Sequence, residues 1–128
     1  MLANFKIGFN IPAADMKRAR QFYEEKLDLI PVAELPTRLV YESGGSSFAL
    51  VPSESAGKAP YSLMTWYVDN LATEMAALRS LGVAFEEYDT LWLKTKNGVA
   101  NLDGNQLAWF NDSEGNLLAL AQLSKPNL

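Results

Sequence analysis

The 128-residue chain carries fifteen acidic and eleven basic residues but neither histidine nor cysteine. Those absences restrict its chemistry before any fold is considered. Without cysteine there is no disulfide, thiolate nucleophile or thiolate metal ligand. Without histidine, Ser46 and Ser47 have no base with which to build a conventional hydrolytic triad, and zinc would rest on carboxylates alone. Glu34, Glu42, Glu86, Glu87 and Asp89 are oxygen ligands of the kind magnesium or calcium accepts, but their spacing matches no metal loop. Asp112-Ser113-Glu114-Gly115-Asn116 has a calcium-like look, lacks the remaining spaced ligands, and reads as a tight turn. Glu42 is a possible general base with no marked partner, and Gly44-Gly45 is no phosphate loop. The residues therefore lead us to expect no catalytic group, no metal site and no cofactor.

Side chains suited to binding are better represented. An aromatic compound can stack on the rings of Trp66, Trp92 or Trp109, and a cation can sit over an indole face. Glu87-Tyr88-Asp89 would add negative charge and a further ring. Trp66 reads as core against a helix layer. Trp92, close to Tyr88 and Asp89 in an irregular stretch, reads as part of a lid or specificity loop, and Trp109 as framing a binding mouth. Arg38 and Tyr41 have opposite strand parity, so they share no face unless a bulge intervenes. The net charge of -4 argues against nucleic acid, whose phosphates favour basic patches, and mildly favours cationic ligands. Apolar runs are too short to span a membrane, and the start of the chain lacks a signal-peptide pattern. A cytoplasmic location is the expectation.

These residues sit on short elements. Phe5 to Ile11 is a strand that Pro12 should end. Asp15 caps a helix from Met16 to about Lys26, with an apolar stripe of Met16, Ala19, Phe22, Tyr23 and Leu27. Leu29 to Glu34, Arg38 to Glu42 and Ser47 to Val51 are strand candidates, the last closed by Pro52. Ser53 to Pro60 is linker-like. The order then restarts: a strand from Tyr61 to Val68, a helix from Leu71 to Ser80 capped by Asp69-Asn70 and ended by Gly82, strands from Val83 to Glu87 and Leu91 to Thr95, turn signals at Asn97-Gly98 and Asp103-Gly104, and a hairpin of Gln106 to Asn111 with Asn116 to Gln122. The pattern predicts one α+β domain of two βαβββ modules, 5–52 and 60–124, forming a curved mixed sheet around a cleft.

From about Lys6 to Leu123 the chain resembles the vicinal oxygen chelate superfamily, which includes glyoxalase I, extradiol dioxygenases, and fosfomycin and bleomycin resistance proteins. Two stretches carry the resemblance: Gly8-Phe9-Asn10-Ile11, Asp15 and Ala19-Arg20-Gln21-Phe22-Tyr23-Glu24-Glu25-Lys26-Leu27, then Ala108-Trp109-Phe110-Asn111-Asp112-Ser113-Glu114-Gly115-Asn116-Leu117-Leu118-Ala119-Leu120. In metal-dependent relatives four strand positions hold the metal. The matching positions are Gly8, Ala49, Leu63 and Ala119, none with a coordinating side chain, so the resemblance implies a metal-deficient member.

Strand alternation then places Asn10 with Gly8, Thr65 and Tyr67 with Leu63, Ser47 and Val51 with Ala49, and Leu117 and Ala121 with Ala119. The expected ligand-binding set is Asn10, Thr65, Tyr67, Tyr88, Trp92 and Trp109 around those four former metal positions. The leading functional expectation is a metal-independent small-molecule binding protein, similar to bleomycin resistance proteins, that sequesters an aromatic or cationic compound. The alternatives are a glyoxalase-like lyase or isomerase with an unconventional site, and a non-catalytic protein-interaction module. The resemblance also implies a homodimer. If modules exchange between subunits, Ser55-Ala56-Gly57 is the expected crossover.

Overall fold

The computed structural model of the chain describes residues 1–124. The first module runs β1 (Phe9–Ala13), α1 (Met16–Leu27), β2 (Ala33–Leu35), β3 (Arg38–Ser43) and β4 (Ser46–Pro52). The second runs β5 (Met64–Tyr67), α2 (Leu71–Ser80), β6 (Ala100–Leu102), β7 (Asn105–Asn111) and β8 (Leu117–Gln122). A single 3-10 turn, Leu2–Asn4, precedes β1. The strands form two four-stranded mixed sheets, ordered β1-β4-β3-β2 and β5-β8-β7-β6. This is the α+β class with paired βαβββ modules. The chain divides into two compact units. The first comprises Met1–Lys58 together with Ser113–Asn116, and the second comprises Ala59–Asp112 and the chain from Leu117.

Local chemistry accounts for both helices. Asp15 accepts a hydrogen bond from the Arg18 amide at 3.0 Å, and Asn70 does the same for the Thr73 amide at 3.0 Å, so each helix has a side-chain cap for an otherwise unpaired N–H. Helix α1 ends where Asp28 turns left-handed (φ 58°), a conformation Asp and Asn tolerate better than most residues. Ala19 and Tyr23 form its buried face, and Leu71 and Met75 that of α2.

Each sheet buries the face that meets its helix. In the first, Tyr41 stacks on Phe48 with ring centroids 5.0 Å apart and planes 7° apart, and Tyr23 packs beside both. In the second, Phe110 lies between Trp66 and Phe85. Trp66 is thus the core-side ring its parity predicts.

Several sequence expectations need correction. β1 begins at Phe9 rather than Phe5, because its parallel partner β4 pairs Phe48 with Phe9 and itself starts only two residues earlier. Pro12 does not end β1, which continues to Ala13. The strand lies at the sheet edge, where a missing N–H is tolerated. Of Leu29 to Glu34 only the last two residues join a strand, since Asp28 turns the chain and Pro31 supplies no donor. Tyr61 to Val68 shortens to Met64–Tyr67. Val83 to Glu87 makes one isolated bridge, Phe85 to Phe110, and Leu91 to Thr95 contributes only the bridge between Asp89 and Lys94. β6 was not anticipated. It is three residues long and lies between two turns whose Asn-Gly and Asp-Gly pairs all have positive φ, the geometry that fits a strand twist in tight hairpins.

Candidate functional site

Strand parity sets what each sheet presents away from its helix. In the first sheet Asn10 lies opposite Ala49, which lies opposite Val40. Asn10 is exposed, and Ala49 is 5 % exposed. Gly8 precedes β1, and a Cβ built there would meet nothing within 4 Å. Here the sequence-predicted set offers one exposed amide beside small side chains, with no polar group on Ala49 or Gly8.

The second sheet differs. Thr65, Ala119 and Trp109 stand in one row across β5, β8 and β7. Trp109, Ala119 and Ala100 form a buried cluster, with Tyr88, Leu93, Leu107 and Leu117 packed against it. Tyr88 meets Trp109 edge-on, ring centroids 5.6 Å apart at 85°, a favoured geometry in which a positive ring edge meets a negative face. Burial pushes the Tyr88 phenol up from its ordinary pKa, with the Glu86 carboxylate reinforcing the shift. Leu63 precedes β5 and donates its amide to the Leu117 carbonyl at 2.9 Å.

A small hairpin delivers Tyr88. The Thr95 hydroxyl accepts from the Tyr88 amide at 2.7 Å, and the Thr95 amide donates to the Tyr88 carbonyl at 2.9 Å. Thr90 closes the tip by bonding both backbone groups of Leu93. At that tip Leu91 and Trp92 stand 84 % and 87 % exposed. Trp92 is therefore not brought to Trp109, and Tyr67, 72 % exposed at the end of β5, is not brought there either. Glu86 and Glu87 are engaged within their own module. Glu86 accepts from the Asn111 side-chain amide and Glu87 from the Gly98 backbone.

The Asp112–Asn116 turn carries more than its sequence reading assigned to it. Asp112, Glu114 and Asn116 are its buried polar residues. Glu114 accepts from the Asp15 amide at 2.8 Å, from Arg18 Nε and Nη2 at 2.8 and 3.0 Å, and from the Ser113 hydroxyl at 2.7 Å. Burial alone would raise its pKa, but these donors outweigh it and hold the carboxyl down to about 2. Asn116 donates to the Pro12 carbonyl at 2.8 Å and accepts from the Gly57 amide at 3.0 Å. Gly57 is required there: its φ is +77°, and a Cβ would fall 2.8 Å from the Glu114 carbonyl oxygen. Sequence reading also missed Leu93 and Ala100 beside Trp109. Leu93 lies in the Leu91 to Thr95 strand candidate, and the signal for Ala100 was the pair of Gly turns bracketing β6.

No family model and no curated protein matches the sequence. Solved structures do. An antibiotic binding protein, TnmS3 from Streptomyces sp. CB03234, is 23 % identical over 94 % of this chain and 96 % of its own, with a TM-score of 0.63. A bleomycin-binding protein complexed with bleomycin is 19 % identical over 94 % and 99 %, with a TM-score of 0.70. A lactoylglutathione lyase from Agrobacterium tumefaciens is 16 % identical over 92 % of each chain, with a TM-score of 0.68. The chain has the vicinal oxygen chelate fold. That fold serves binders and a lyase alike, so function must be argued from the residues.

Metal-dependent users of the fold hold a divalent ion, and the residues here do not fit one. Gly8, Ala49, Leu63 and Ala119 offer no coordinating atom from a side chain. Among the described residues no three His, Cys, Asp or Glu side chains are grouped to hold an ion. Among the described residues no helix is long and apolar enough to cross a membrane.

Proposed function

We propose that the chain is a metal-independent small-molecule binding protein that sequesters an aromatic or cationic compound, as the bleomycin-binding protein of the same fold takes bleomycin. The observation that carries this reading is the row Thr65–Ala119–Trp109 with Tyr88 against it. An indole and a phenol flank an alanine where metal-dependent relatives place a ligand. A flat ring or a cation that displaces Tyr88 would gain the Trp109 face. The remaining residues expected from the sequence, Asn10, Tyr67 and Trp92 with Gly8, Ala49 and Leu63, stay outside this cluster.

Tryptophan fluorescence titration tests it, with bleomycin, N-methylquinolinium and neutral quinoline as probes. The expected result is saturable quenching by an aromatic cation, weakened about tenfold in Trp109→Phe, in line with the roughly 1–2 kcal/mol an indole face contributes to a desolvated cation. An unchanged isotherm in that variant would remove Trp109 from the site. No saturable signal from any probe on folded protein would overturn the reading.

We also propose a homodimer. Its support is the exposure of Phe5, Ile7, Phe9, Ile30 and Val32, apolar side chains of a kind that pairing would cover. Sedimentation equilibrium should return twice the 14.1 kDa chain mass; a monomer at high concentration would refute the pairing.

A further inference from the structure

The first unit has a groove on its helix-bearing side that contains none of the residues proposed above. It encloses about 280 Å³ where the start of α1 meets the turn between β2 and β3. Its charged lining is Lys17, Arg20 and Arg38 against the single carboxylate of Glu34. In a chain of net charge -4, this is a local reversal of sign.

The cations are not consumed by the fold. Arg20 gives one nitrogen, Nη1, to Glu34 Oε1 at 2.8 Å, leaving the remaining donors of its guanidinium fork. That ion pair is well exposed on both sides, at 40 % and 64 %, so exchanging it for another anion costs little. Among the described residues neither Lys17 nor Arg38 forms an ion pair. Met16 and Leu39 belong to the apolar part of the wall, with three further apolar residues.

A volume near the lower end of ligand cavities, apolar walls and a cationic rim specify the occupant. We propose that this groove binds a small organic oxyanion: a carboxylate or phosphate monoester on an apolar body of one ring or less. The guanidinium fork of Arg20 suits either headgroup, and Glu34 acts as the resident competitor that the ligand replaces. The groove shares no lining residue with the Trp109 cluster and takes a ligand of opposite charge.

The test is 15N-resolved NMR titration of the whole chain with benzoate, phenyl phosphate, inorganic phosphate and benzamide. The groove predicts saturable shifts confined to amides around 16–20 and 34–39. Benzoate or phenyl phosphate, whichever headgroup is preferred, should bind more tightly than inorganic phosphate, with benzamide inert. Lys17→Gln with Arg38→Gln should weaken binding about tenfold, and Glu34→Gln should strengthen it about threefold by removing the competing charge. All three positions are exposed, so circular dichroism should show each variant folded. Shifts scattered over the surface, an equal response to benzamide, or a Glu34→Gln variant that binds no better would each overturn the proposal. None of these outcomes bears on binding at Trp109.

Discussion

The two modules share one strand order and differ in how far the chain runs between helix and second strand. Five residues, 28–32, separate α1 from β2, whereas nineteen, 81–99, separate α2 from β6. The short link leaves the first sheet's outward row as Asn10, Ala49 and Val40. The long one folds back as a hairpin that sets Tyr88 on Trp109. Strand order follows from pairing and helix docking, which both modules satisfy equally. The character of the outward face follows from loop length, which is free to vary once the core is closed. The packed pair of Tyr88 and Trp109 therefore belongs to the second module, while the first has cations near its helix.

The largest effects should come from the paired aromatic cores. Phe110→Ala removes a fully buried ring between Trp66 and Phe85 and should cost ~3–5 kcal/mol in denaturant unfolding. Phe48→Ala in the first module should match it. A loss below about 2 kcal/mol in one alone would show that the two cores are not equivalent.

Next comes the buried turn. Glu114→Ala leaves the Asp15 amide and Ser113 hydroxyl without their acceptor and should cost ~2–3 kcal/mol. Its pH dependence has a definite sign. The carboxyl lies at about 2 in the folded chain against a reference of 4.5, so its stabilisation is complete above 4.5 and is lost as pH falls through about 2. Acid titration of stability should be shallower in Glu114→Gln than in the parent over that window. Equal slopes would contradict the depressed value.

The hairpin sharpens the comparison at smaller scale. Tyr88→Ala should cost ~1–2 kcal/mol through lost packing on Trp109, whereas Trp92→Ala at the exposed tip should stay within about 0.5 kcal/mol. Thermal unfolding that ranked them in reverse would mean that the tip, not Tyr88, holds the hairpin down.

The smallest effect has the opposite sign. The Tyr41 hydroxyl is buried without a hydrogen-bond partner among the described residues, and burial pushes its pKa up to about 12. Tyr41→Phe should therefore stabilise the first module by ~0.5–1 kcal/mol. A destabilised variant would reveal a partner for that oxygen.

Both helices, their caps and the Ala19 and Tyr23 part of the α1 stripe were legible in the sequence, because Asp15, Asn70 and the apolar spacing act within a few residues, whereas Met16, Phe22 and Leu27 of the expected stripe are only half-buried. That Gly8, Ala49, Leu63 and Ala119 carry no coordinating side chain is read directly from the sequence; their match to metal positions rests on the resemblance. Trp92 illustrates the limit. It was grouped with Tyr88 by proximity in the chain, yet the hairpin bonds between Tyr88 and Thr95 send one ring to the sheet and the other to solvent. Pro12 shows the same limit: whether a proline ends a strand depends on which neighbour pairs with it.

By itself the sequence determined the repeated module, the lack of side-chain metal ligands at the matched positions and the supply of aromatic rings. These follow from composition, from periodicity and from local capping. Only the tertiary structure decided that Trp109 and Tyr88 meet, that Glu114 and Asn116 are buried beside Arg18 and Pro12, and that Lys17, Arg20 and Arg38 gather at one groove. Each of those contacts joins residues distant in the chain, and their pairing energy exists only after strand register and helix docking have brought them within reach.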